Sequence, residues 1–130
     1  MVSVRTIDEF TTGRRLEGPT VELPSFEVSV RELIESRVRQ EVDRYNREKP
    51  GTYYGLIQPT DTEVLLNGPV TRRFKPVDPE RQVEIALEAF RKQQILVLLP
   101  GGQAESVDQI VRLNENDEVS FLRLVPLVGG

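Results

Sequence analysis

At 130 residues, 38% of them hydrophobic and 29% charged, the chain has the length of one ordinary domain and enough apolar material for one core. A formal net charge of −4 without clustered Lys and Arg argues against a nucleic-acid partner, and no apolar run approaches bilayer-spanning length, so no membrane partner is expected and a cytoplasmic location is. With neither Cys nor His there is no disulfide framework, no usual zinc ligand, no cysteine nucleophile and no histidine base, and the expectation is that the chain is not an enzyme and holds no metal.

"VSVRTIDEF" and "PTVELPSFEVSV" predict two strands of an opening hairpin, with Gly13 and Gly18 of "TTGRRLEG" supplying the turn between them. Ser29 followed by Glu32 is a capping box, and Val30, Leu33, Ile34, Val38, Val42 and Tyr45 fall on one helical face, so the spacing predicts a helix over 30–47. From Gly51 to Pro76 the signals are mixed. "TYYGLI" and "TEVLL" are short strand candidates, while Pro59, Gly68, Pro69 and Pro76 break any longer element. Asp78-Pro79 then gives an N-cap with proline at the first helical position, and Val83, Ala86, Leu87 and Phe90 line one face of a second helix that ends near Gln93. "QILVLLPGGQ" predicts a fully apolar strand turning at Pro100-Gly101-Gly102, followed by "SVDQIVRL" and a last strand "EVSFLRLVPL". Strands, a packed helix and further strands in one short chain predict an α+β layer: a mixed sheet with helices on one face.

Several conspicuous stretches have plain structural explanations. "PGGQ" lacks the spaced glycines and Lys-Ser/Thr of a phosphate loop and reads as a hairpin turn. "NENDE" lacks the spacing of a calcium loop and reads as a solvated turn. "ESRVRQEVDRYNRE" carries opposite charges three and four residues apart, as a solvated helix face does. Only three lysines, Lys49, Lys75 and Lys92, stand among the seventeen basic residues. A general preference for arginine is the favoured explanation, ahead of a need to limit modification of its own lysines. Tyr53 and Tyr54, between Gly51 and Gly55, are candidates for a contact surface, with packing of the inserted segment onto the core as the equal alternative.

The final residues, "FLRLVPLVGG", place two glycines after an apolar strand. At average glycine usage this would occur by chance in about 0.5% of chains. Preceded by "QILVLLPGGQAESVDQIVRLNENDEVS", this ending resembles the second half of a ubiquitin-like β-grasp protein: apolar strand, glycine turn, short segment, acidic turn, last strand and diglycine. It is also similar to the ends of the prokaryotic sulfur carriers, the molybdopterin-synthase small subunit and the thiamine-pathway carrier. Residues 1–47 fit the opening hairpin and helix of the same fold, and residues 48–93 stand outside the resemblance as an insertion with its own helix.

The resemblance implies a single β-grasp domain and a ubiquitin-like modifier whose Gly130 carboxylate is adenylated by an activating enzyme. That partner would use ATP and magnesium, with no cofactor bound to this chain. Transfer through a thioester to a target amine would follow, which adds a conjugating enzyme, a deconjugating protease and a target protein as expected partners. The alternatives are a sulfur carrier with a C-terminal thiocarboxylate, and a noncovalent interaction module with an incidental Gly-Gly end. Under the first two readings Gly129 and Gly130, lacking Cβ, thread a narrow site, and Pro126 ends the ladder and stiffens the tail. Phe121 and Leu124 would anchor the last strand. Leu124, Val125, Pro126, Leu127 and Val128 would dock on the partner, with 125–130 as an extended tail.

Overall fold

Val2–Phe10 forms β1, the hub of the sheet, with Val4 and Thr6 buried and Ser3 and Arg5 exposed in the two-residue rhythm of a strand covered on one face. The computed structural model describes residues 1–48, 56–57 and 76–124, and the backbone of 64–65 and 68–69. The chain turns at Gly13, where φ is +90°, and returns as β2 (Arg15–Glu17), antiparallel to the second half of β1. It continues as β3 (Val21–Leu23), antiparallel to the first half. Between the two the register slips by one residue, from Ile7↔Glu17 to Val4↔Val21. Gly18 sits at this slip so close to β1 that an added Cβ would lie 2.6 Å from the Thr6 hydroxyl oxygen. That hydroxyl donates to the Pro19 carbonyl at 2.5 Å.

β4 (Glu27–Ser29) leaves the sheet and runs directly into α1 (Val30–Glu48). The helix starts where the sequence places it, because Ser29 and Glu32 satisfy each other's backbone. Glu32 N–H donates to Ser29 Oγ and Ser29 N–H to Glu32 Oε1, both at 3.1 Å. In the inserted segment, the paired strands β5 (Val64–Leu65) and β6 (Gly68–Pro69) fall in and just after "TEVLL". Leu56 and Ile57, from the other strand candidate, form a bend and are fully buried. α2 (Pro79–Arg91) opens on Asp78, whose side chain accepts from Glu80 N–H at 3.1 Å. It closes in a Schellman pair, Gln93 N–H to Phe90 and Gln94 N–H to Ala89, with Gln93 at φ +59°.

β7 (Ile95–Leu99) turns through Pro100 and Gly101 into β8 (Gly102–Gln103), and β9 (Ile110–Arg112) pairs antiparallel with β4. β10 (Glu118–Arg123) then enters between β1, to which it is parallel, and β7, to which it is antiparallel. The resulting order, β2-β1-β10-β7-β8 with β3 also on β1, sets the first and last long strands side by side at the centre. Helix α1 packs on β3 and β4, and α2 packs on both α1 and β7. A mixed sheet of this order with its main helix on one face is an α+β, β-grasp architecture, the class read from the sequence. Leu23, Leu33, Ile34, Val38, Val97, Val119 and Phe121 form one core with Ala86, Ala89 and Phe90 of α2, so the second helix completes the core.

Three boundaries differ from the sequence reading. Arg15–Glu17, assigned there to a turn, is a strand, since only Thr11–Arg14 are needed to reverse the chain. The second predicted strand is two, because Pro24, which has no N–H to give to a ladder, separates β3 from β4. The last strand ends at Arg123, before Pro126.

Candidate functional site

The residues expected to act lie at and beyond the end of β10. Phe121 faces the core and is 1% exposed, as expected of an anchor. Leu124 is 39% exposed, and its N–H closes the ladder on the Gln94 carbonyl at 3.0 Å. Val125, Pro126, Leu127, Val128, Gly129 and Gly130 lie outside the described residues, as do Tyr53 and Tyr54.

What the structure adds at the root of this tail is a buried ion network. Asp8 shares the covered face of β1 with Val4 and Thr6, and Arg37 lies on the core stripe of α1, one turn beyond Leu33. The Arg37 guanidinium, 1% exposed, grips both oxygens of Asp8, Nη2 to Oδ2 at 2.9 Å and Nη1 to Oδ1. Its Nε donates to Glu41 Oε1 at 3.3 Å, and its carbon lies 4.7 Å from the centre of the Phe121 ring. Arg123 Nη2 reaches Asp8 Oδ2 at 3.5 Å, and that guanidinium lies 5.6 Å over the Phe10 ring. Glu41 Oε1 also accepts the Leu56 N–H at 3.2 Å.

Two carboxylates and two guanidiniums thus meet where α1, β1 and β10 converge. Burial alone opposes the charge on Arg37, but Glu41 and Asp8 outweigh it and raise its pKa further above the usual arginine value. Planar, bidentate pairing suits arginine to this position, where an unpaired charge would cost several kcal/mol.

The network holds no nucleophile and base pair, and every charge in it already faces an opposite charge. Its chemistry is positional. Among the described residues no group of three His, Cys, Asp or Glu could hold a metal ion, and no helix is long and apolar enough to cross a membrane. A cleft of about 810 Å³ opens between the end of α2 and the β7–β8 turn. Gly101 and Gly102 line it together with Glu105, whose carboxylate is unsuited to a phosphate neighbour.

Asp8, Arg37, Glu41 and Arg123 were not singled out from the sequence, although the signal was present. Arg37 stands four residues after Leu33 and three after Ile34, in the apolar stripe. Asp8 continues the every-second-residue series from Val4 through Thr6. A charge of each sign on two core-facing patterns is the mark of a buried pair. Compared with protein-family models, curated proteins and solved structures, the chain finds no match.

Proposed function

We propose that this protein is a ubiquitin-like modifier, activated at the carboxylate of Gly130 and joined to target amines. One observation carries the reading: β10, the strand leading into the diglycine segment, is central in the sheet, parallel to β1 and anchored by Phe121. Residues 125–130 therefore start from the best-supported strand of the fold, at Leu124 beside Gln94, and not from a fraying edge.

The chemistry asks little of this chain. The Gly130 carboxylate attacks the α-phosphorus of ATP in the activating enzyme and pyrophosphate leaves. A cysteine thiolate of the partner displaces AMP, and a target amine then displaces the thiolate to give an amide. Glycine at the last two positions lets the backbone enter a narrow site in conformations closed to other residues. The reading requires that the active chain end at Gly130.

The test is to express the tagged chain in its native cells with and without Gly129 and Gly130, then digest the purified material and sequence its peptides. A lysine-containing peptide branched to Gly130, seen only with the intact end, supports the modifier. A thiocarboxylate at Gly130 transfers the proposal to sulfur delivery. Equal recovery of the same unmodified partners with both chains supports noncovalent binding and overturns activation.

A further inference from the structure

We propose that the Asp8–Arg37–Glu41 network is a coupling device that ties the Leu56–Ile57 anchor of the inserted segment to the root of the C-terminal tail. A partner that displaces Leu56 would then also shift Arg123 and Leu124. The coupling stands on geometry alone, and only its use in regulating conjugation rests on the modifier reading.

The links form one continuous path. Glu41 Oε1 receives two donors, Leu56 N–H at 3.2 Å and Arg37 Nε at 3.3 Å, so the position of Leu56 helps set the carboxylate that Arg37 faces. Arg37 spans Glu41 and Asp8 with a rigid planar fork, and the guanidinium itself is buried away from water. A displaced Glu41 therefore pulls on the guanidinium instead of leaving it unpaired. Asp8 Oδ2 is in turn shared between Arg37 Nη2 at 2.9 Å and Arg123 Nη2 at 3.5 Å. Arg123 directly precedes Leu124, the last residue of the ladder. Ile57, fully buried beside Leu56, and Phe121, stacked under Arg37, give both ends of the path a firm seat. Chains of hydrogen-bonded groups in a packed interior can carry such coupling, which must be reciprocal.

Amide hydrogen exchange of the full chain, read by NMR, tests this in both directions. The probes are the N–H groups of Leu56 and Leu124. The references are Val30, bonded to Gln109, and Leu113, bonded to Phe26, both away from the network. In Glu41→Gln, Leu124 is expected to exchange about 5-fold faster or more relative to the references, and in Arg123→Met so is Leu56, the lower end of ordinary coupling. Unchanged Leu124 exchange in the first variant, or unchanged Leu56 exchange in the second, overturns the proposal, as does equal acceleration of all four amides. If Glu41→Gln fails to fold, Arg123→Met decides alone, since Arg123 lies at the network's margin. No readout involves Gly130, so failure here leaves the modifier reading standing, and loss of that reading leaves this result intact.

Discussion

Arg37 stays charged inside the core because Asp8, Glu41 and the Phe121 ring surround its guanidinium. Removing it takes the buried guanidinium from two carboxylates of low exposure and leaves Asp8 the longer contact to Arg123, so Arg37→Met is expected to destabilise the protein by about 3 kcal/mol, as breaking buried pairs does. Urea unfolding checks this, and a change below about 0.5 kcal/mol, the scale of a neutral surface substitution, would mean the network contributes little. Gln93 tests the opposite sign. It occupies the left-handed C′ position where glycine is preferred, so Gln93→Gly is expected to stabilise by up to about 1 kcal/mol, seen as a higher urea midpoint with an unchanged slope. At this scale the sequence was partly legible. The apolar stripe set Val30, Leu33, Ile34, Val38, Val42 and Tyr45 on one face; the first five are buried and Tyr45 packs partly buried against them. Arg37 and Asp8 were missed because residue type was read before position. The Gly18 approach to Thr6 was hidden, since a contact across a register slip leaves no local pattern.

The helices were the most legible elements because their ends carry their own chemistry. Ser29→Ala removes the oxygen that accepts Glu32 N–H and is expected to cost about 1 kcal/mol, measured by thermal or urea unfolding. Between the helices, Arg39 holds Glu80 through two hydrogen bonds, which lower the pKa of Glu80 below the usual carboxylate range. Folded Glu80 thus binds a proton less readily than unfolded Glu80. Its contribution to stability is present above the unfolded pKa and is lost as the pH falls through the lower, folded value. Melting curves of the wild type and Glu80→Gln are expected to differ slightly at neutral pH and to converge in acid. Salt should shrink the difference because the pair is exposed. Short strands were harder to read. β2 and the β3/β4 break depend on where β1 offers a partner and where Pro24 withholds an N–H, and pairing across the chain is not a local property.

At the scale of the whole molecule, sheet order was the least legible feature, since hydrophobic pattern specifies a strand's faces but not its neighbours. The structure places β10 beside β1 and so gives the segment before the diglycine a central, buried support. The α+β class and the order of the main elements were readable because each follows from composition and periodicity. The chemistry proposed for the tail rests on its resemblance to carriers that end in Gly-Gly. The central proposal is that the carboxylate of Gly130 is activated and joined to a target amine. Mass spectrometry of the intact protein from its native cells, with the C-terminal peptide sequenced separately, tests it most directly. The expected result is a peptide ending at Gly130 and a population in which Gly130 is joined to a lysine side chain. A free Gly130 carboxylate in every molecule, persisting when the candidate activating enzyme and ATP are supplied, would contradict the claim.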